Sequence, residues 1–455
     1  MLDRLVPAHV RKRPAARTFA SSSPRACVRP PAAAWMRGLV ATLLMIASYA
    51  LAQEVDAATR TVTVAPSGGD DTAAVQAALD ACVTFGPGCT VHLEEGVFRT
   101  RHLLTHDFHG TFRGAGQDAT TIEPAGRFAV NDDDVVLARP PAPDHPWPMH
   151  ILFVGGDVTV SDMTLRMTGA EPAQPWTLFG MEFTAMAASL VITGEVADAR
   201  IERVTVEGEE GSFQGYNLIN GVYVEGLLPD DEGEPTRPLH GTFSVRDSTF
   251  RTLAYGSPLF NLEDSLVVIA DNLYEDVFSA MDTQDLAGST VEIRDNVIDG
   301  ATVGFEIIQG SWAVPDMAST LLVHGNDVRG VRAIGIGLDG AEGADTLRAV
   351  VADNRFELTG DAVGVISRNT AGARVLDNVV TGEGRAVVAL AEAPDDGSAA
   401  PPATGWTISG NDLSAFTGSQ AAFVLGPGAD GVTVLCRAPA AVQDDGARNV
   451  VHCGE

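Results

Sequence analysis

From Thr61 onward the chain alternates apolar and polar residues in short runs, each closed by Gly, Asn or Asp. Alternation with a period of two marks a strand buried on one face. Thr61-Val62-Thr63-Val64, Thr90-Val91-His92-Leu93 and Gly96-Val97-Phe98 open the series. Between the first two, Asp71 to Cys82 follows a helical period instead. Val75, Ala78, Leu79 and Cys82 share one face there, and Asp71 suits the N-cap.

One phrase then keeps returning. It stands as "VRDSTF" (Val245–Phe250), "IADNLY" (Ile269–Tyr274), "IRDNVI" (Ile293–Ile298) and "VHGNDV" (Val323–Val328). It continues as "VADNRF" (Val351–Phe356), "VLDNVV" (Val375–Val380) and "ISGNDL" (Ile408–Leu413). The equivalent residues are Ser248, Asn272, Asn296, Asn326, Asn354, Asn378 and Asn411, spaced by 24, 24, 30, 28, 24 and 33. A period that varies only by insertion predicts a solenoid, with one coil per copy and loops absorbing the difference. The Asn is expected to take left-handed geometry at a bend and to bond amide to amide along the coils.

The segments that close the repeats align as "GVYVEG", "SAMDTQ", "GFEIIQ", "GIGLDG" and "GVISRN". Alternation sends Val222, Val224, Met281, Thr283, Phe305, Ile307, Ile336, Leu338, Val365 and Ser367 inward. Two outward columns remain: Tyr223, Asp282, Glu306, Gly337 and Ile366, then Glu225, Gln284, Ile308, Asp339 and Arg368. The coil "SPLFNLED" aligns poorly, and Asn261 and Glu263 are its expected outward residues. Strands in adjacent coils lie about 4.8 Å apart, which makes Asp282 and Glu306 neighbours and puts Asp339 roughly 8 Å from Glu306.

Two close carboxylates admit three chemistries: a calcium site, an acid and nucleophile at retaining distance, or, for the wider pair, an inverting acid and base. Arg368 fits three roles: orienting a substrate carboxylate, acting as a lyase base, or pairing with Asp339. Asp282, Glu306, Asp339 and Arg368 are thus the catalytic candidates. Tyr223, Glu225, Asn261, Gln284, Gln309 and Trp312 are the substrate-binding ones, and Asp282 with Glu306 is the candidate calcium site. The insertions 132–148, 227–239 and 311–318 are expected to wall one face, with Trp147 and Trp312 placed to stack on sugars. His102, His106 and His109 crowd the first coils without sharing a helix face, so a structural role is expected of them rather than metal binding.

Charge narrows the partners. The chain has 30 basic and 60 acidic residues. The basic flank at Met36-Arg37, the apolar run from Leu39 to Leu51 and the small residues at Ala50-Leu51-Ala52 predict a signal peptide cleaved before Gln53. Residues 1–52 then comprise an upstream extension and the signal, and the exported chain keeps 22 basic against 59 acidic residues and loses Lys12, its single lysine. Nucleic acid is excluded as a partner, since binding it needs clustered Lys and Arg. No later apolar run is long enough for a membrane anchor. A secreted or periplasmic monomer is the expectation. Export also favours two local disulfides, drawn from Cys82, Cys89, Cys436 and Cys453.

The opening "DDTAAVQAALDAC…GCTVHLEEGVFRT" and the following "FRGAGQDATTIEP" resemble the entry region of the pectate-lyase-like superfamily, and the "DN" coils resemble its repeats. The resemblance runs from about Thr61 to Leu435. It implies an all-β, right-handed parallel β-helix with an N-terminal capping helix: residues 53–435 as the solenoid and 436–455 as a disulfide-pinned tail. It also implies polysaccharide as the partner, met by a lyase or a glycoside hydrolase. The non-catalytic alternative is a surface or matrix protein that binds carbohydrate. The polygalacturonase run of Asn-Thr-Asp, Asp-Asp, Gly-His-Gly and Arg-Ile-Lys is missing, as is the Arg-x-Pro-x-x-Arg element of pectate lyases.

Overall fold

The computed structural model describes residues 53–126, 149–168, 176–178, 181–183, 185–209, 217–226, 238–309, 317–340, 347–393, 399–418 and 421–453. Its repeating unit is three short strands. In one coil these are Thr290–Arg294, Val297–Asp299 and Val303–Ile308. Each pairs in parallel with its counterpart in the next coil: Ser319–His324, Asp327–Val331 and Ile334–Asp339. Stacking coil on coil makes three parallel faces, called here the first, second and third sheets in chain order.

The alternation explains the core. In the first sheet Ile269, Ile293, Val323 and Val351 stand in register and buried, as do Val267, Val291, Leu321 and Ala349. In the second, Phe250, Tyr274, Ile298, Val328 and Phe356 form one inward column, with the rings of Phe250 and Tyr274 stacked at 5.0 Å. Burying each such side chain stabilises by about 1.5–3 kcal/mol. A coil has no complete core of its own, so that stabilisation arises between neighbours.

The bend between the first and second sheets carries the recurring phrase, and here one expectation is corrected. The left-handed residue is not the Asn but the one before it: Asp247, Asp271, Asp295, Gly325, Asp353, Asp377 and Gly410 all have φ between 50° and 71°. Asp and Gly are suited to that geometry. This turn frees the Asn to point inward. Each Asn amide from Asn272 to Asn378 donates through Nδ2 to the Oδ1 of the next Asn, at 2.9 to 3.0 Å. The same Oδ1 accepts the preceding Asn's backbone N–H, at 2.9 to 3.1 Å. The ladder is as expected, and Ser248 is its first rung. A shorter serine ladder follows the same principle at the start of the first sheet: Ser265 N–H donates to Ser289 Oγ, and Ser289 N–H to Ser319 Oγ.

The helix spans Thr72–Phe85 and buries Val75, Ala78, Leu79 and Cys82 against the first strands. Asp71 holds the N-cap position, yet its carboxylate turns elsewhere, accepting the N–H groups of Ser67 (2.7 Å) and Arg99 (3.1 Å). Asp70 accepts the Thr72 N–H in its place. Cys82 pairs with Cys89, and Cys436 with Cys453, as disulfides. Among the described residues no helix is long and apolar enough to cross a membrane. The apolar run at Leu39–Leu51 lies outside them.

Candidate functional site

The third sheet puts both expected columns on its outer face. Asp282 pairs with Glu306, Glu306 with Gly337, and Gly337 with Ile366. Two residues along, Gln284, Ile308, Asp339 and Arg368 stand in register. Met281, Phe305, Ile307, Ile336 and Leu338 face the core. One coil departs from expectation. There Phe260 holds the place between Glu225 and Gln284, and Pro258 falls between Tyr223 and Asp282. Asn261 is buried, with left-handed φ of 55°, where the strand turns away; Glu263 is partly exposed beyond it.

Burial also divides the binding candidates. Tyr223 is 2 % exposed, packed with Met149, Leu152, Ala188 and Val191 and with the Phe260 ring at 5.5 Å, so it lies under the surface rather than on it. Glu225 is buried too. Gln309 is 3 % exposed, with both amide atoms unpartnered. Gln284 is the member of the set that stays partly open beside the carboxylates. Trp312 and Trp147 lie outside the described residues.

The middle of the face is acidic. Asp282 is 5 % exposed; its Oδ2 accepts from Gln284 Nε2 at 3.1 Å, while Oδ1 is buried without a partner. Burial drives its pKa well above the ordinary carboxylate value, and the charges of Glu306 and Asp285 push the same way. Glu306 is raised by burial as well, but Arg368 pulls it back down. Asp339 is raised by burial and opposed by Arg368, whose Nη2 lies 3.1 Å from its Oδ2. Burial thus favours the neutral form of all three carboxyls, and Arg368 opposes it at Glu306 and Asp339.

One residue that the sequence reading passed over, Tyr255, and one that it placed in the first outward column, Gly337, complete the site. Tyr255, paired with Ser279 and set edge-on to Phe278, has its phenol pushed up by burial and by the charges of Asp282 and Glu306. Gly337 leaves a notch beside Glu306: a Cβ there would meet Ile334, Glu306 and Ile366 side chains at 3.7 to 3.9 Å, ordinary contact distances. Past the notch the face turns apolar again, through Val363, Ala386, Ala389 and Val424.

No three His, Cys, Asp or Glu side chains among the described residues gather closely enough to hold a metal ion. The first-coil histidines go separate ways. His102 bonds to the Met149 carbonyl at 2.8 Å, His109 pairs with Asp157 at 3.0 Å, and His106 is exposed.

The raised carboxylates make stability depend on pH. Below the ordinary carboxylate range both folded and unfolded forms are protonated, and no penalty arises. As pH climbs from the ordinary carboxylate value towards the raised folded one, the unfolded chain releases its proton while Asp282 keeps its own in the fold, and stability is lost across that window. Its contribution should make the protein melt at a higher temperature near about pH 5 than near about pH 8, with Asp282→Asn flattening that slope. Calorimetry across this range checks it; a variant with the wild-type slope would assign the titration to other groups.

No protein-family model matches the chain, and no curated protein does. Solved structures do. The family 28 exopolygalacturonase of Yersinia enterocolitica superposes with a TM-score of 0.51 at 12% identity, over 85% of this chain and 76% of that one. The A-module of a mannuronan C-5 epimerase from Azotobacter vinelandii gives 0.42 at 16%, over 85% and 94%. At 12% identity the likeness to the exopolygalacturonase is one of fold: this chain is a right-handed parallel β-helix.

Proposed function

We propose that the chain hydrolyses a polysaccharide on the outer face of its third sheet, with Asp282 as the proton donor and Glu306 as the nucleophile. The observation that carries this is the buried, unpartnered Oδ1 of Asp282, one strand away from a second carboxylate. A carboxyl held neutral beside an ionised one is the pairing that glycosidic cleavage needs. Asp282 protonates the departing oxygen as Glu306, whose charged form Arg368 favours, attacks the anomeric carbon; Asp282 then takes a proton from the water that releases the sugar from Glu306. Asp339 positions Arg368. Arg368 is engaged by Asp339 in an ion pair, which speaks against its serving as the base of a lyase reaction. Neighbouring strands lie about 4.8 Å apart, close to the carboxyl separation of retaining enzymes.

The Yersinia neighbour, an exopolygalacturonase by name, lends the substrate class. On the same reading the helix caps the first coil, residues 53–435 form the solenoid and 436–455 the tail, and the disulfides suit an oxidising compartment.

The test is a panel of neutral, uronic and acetylated glycans, with and without calcium, followed by new reducing ends and by ultraviolet absorbance. Reducing ends without absorbance, with retained anomeric configuration, support the assignment. Inversion would move the roles to Glu306 and Asp339. Absorbance would mean elimination and overturn it.

The Gly337 notch gives an independent check. Its φ is not left-handed and a Cβ fits, so Gly337→Ala should fold as wild type while taking up space beside Glu306. Turnover is expected to fall by about 10²-fold, as for a small misplacement of substrate. Unchanged kinetics would place the sugar elsewhere.

A further inference from the structure

The second sheet carries two outward columns on another face of the solenoid, which the hydrolytic reading leaves unused. One is threonine: Thr121, Thr164, Thr205 and Thr249 stand in register on successive coils. Two residues along, the other alternates in sign, as Arg99, Glu123, Arg166, Glu207, Arg251 and Glu275. Glu123 lies 3.1 Å from Arg99 and 3.8 Å from Arg166. Glu207 lies 3.0 Å from Arg166 and 3.9 Å from Arg251, and Arg251 reaches Glu275 at 2.6 Å. The segment Gln117–Asp118 walls this strip. Thr164 Oγ1 donates to the Gln117 carbonyl, and Gln117 Nε2 donates to Thr205 Oγ1. The half-open cleft along the strip measures about 280 Å³, and every residue lining it is polar.

We infer that this strip binds a neutral glycan strand lying along the solenoid axis. Three features select that ligand. An apolar molecule has nothing to pack on. An ion meets no net charge: Arg166 and Arg251 are balanced in the lining by Asp118 and Glu207, in a chain that is otherwise strongly acidic. A sugar chain, however, presents hydroxyls that both donate and accept. The ladder offers guanidinium donors and carboxylate acceptors in alternation at each strand spacing of about 4.8 Å, beside hydroxyls that do both. The ion pairs hold these side chains in place before the ligand arrives, which lowers the ordering cost of binding.

Affinity electrophoresis in gels of galactomannan, xyloglucan and mixed-linkage β-glucan tests this, with polygalacturonate as the charged comparison. Wild type should be retarded by at least one neutral glycan. Thr205→Val/Thr249→Val, which keeps side-chain shape, should bind about tenfold more weakly, the loss of two hydrogen bonds, with unchanged melting temperature and unchanged cleavage of short oligosaccharides. A doubly inactivated Asp282→Asn/Glu306→Gln protein should be retarded as wild type, which separates this inference from the hydrolytic one. No retardation by any neutral glycan, retardation by polygalacturonate alone, an unaffected threonine variant, or loss of binding in the carboxylate variant would each overturn it.

Discussion

Asp282→Asn and Glu306→Gln should each lower polysaccharide cleavage by about 10²–10⁴-fold, the usual cost of losing a positioned acid or its partner, with the fold intact. Both replacements preserve size. The amide introduced by Asp282→Asn still offers Gln284 an acceptor, and removing a buried charge relieves the desolvation that raises Asp282 in the folded protein. The two losses are chemically distinct. A substrate with an activated leaving group needs little protonation, so it should recover much of its rate with Asp282→Asn and none with Glu306→Gln. Small external anions such as azide should rescue the nucleophile-deficient variant and yield a trapped glycosyl azide. Steady-state kinetics with both substrate types decides this. Wild-type activity in Asp282→Asn would end the hydrolytic reading.

The largest stability effect belongs to the asparagine ladder. Asn326 Nδ2 donates to Asn354 Oδ1 (2.9 Å) and to the Ile293 carbonyl (3.0 Å), and its Oδ1 accepts from Asn296 N–H and Nδ2. Leu has nearly the same shape and can form none of these bonds. Asn326→Leu leaves the Asn296 backbone N–H without its acceptor and takes one amide partner each from Asn296 Nδ2, the Ile293 carbonyl and Asn354 Oδ1, the last of which keeps the backbone N–H of residue 326. At about 1–3 kcal/mol for each group left unmet, a loss of about 3–5 kcal/mol is expected. Urea unfolding measures it. Ser248→Ala, at the end of the row, should cost only about 1–2 kcal/mol, since it removes two contacts, from Val204 N–H and to the Arg246 carbonyl, and leaves the Asn amides joined. Because each coil leans only on its neighbours, the interior variant should also broaden the transition as the two halves melt less cooperatively. Equal costs at both positions would mean that the amides do not act as a row.

The outward columns were legible because period-two alternation and the recurring Asn fix the register of each coil, whatever the loop length between them. The coil from Thr249 to Leu266 escaped because its strand is short and Asn261 bends the chain, which shifts the outward places to Pro258 and Phe260. Tyr255 had a readable signal. It precedes Gly256 as Val303 precedes Gly304, Ile334 precedes Gly335 and Val363 precedes Gly364. The burial of Tyr223 was not readable, because it depends on neighbours from coils without the Asn phrase. The Arg–Glu ladder could have been found by counting three residues past each Asn-equivalent position, to Arg251, Glu275, Asp299, Arg329 and Glu357.

The amide row has a direction. From Asn272 to Asn378 each side-chain amide sends one N–H to the oxygen of the Asn on its C-terminal side and the other to a carbonyl of the coil before. From Asn296 to Asn411 every side-chain oxygen faces back, so the amide-to-amide bonds all run the same way. At the far end Asn411 turns its amide to carbonyls of Val375 and Ser409. Polarisation along such a chain strengthens each link. The solenoid is thus a vector as well as a stack. A coil spliced into its middle joins the row unaltered provided it carries one Asn after a left-handed residue, whereas a coil lacking that amide would divide one long row into two short ones.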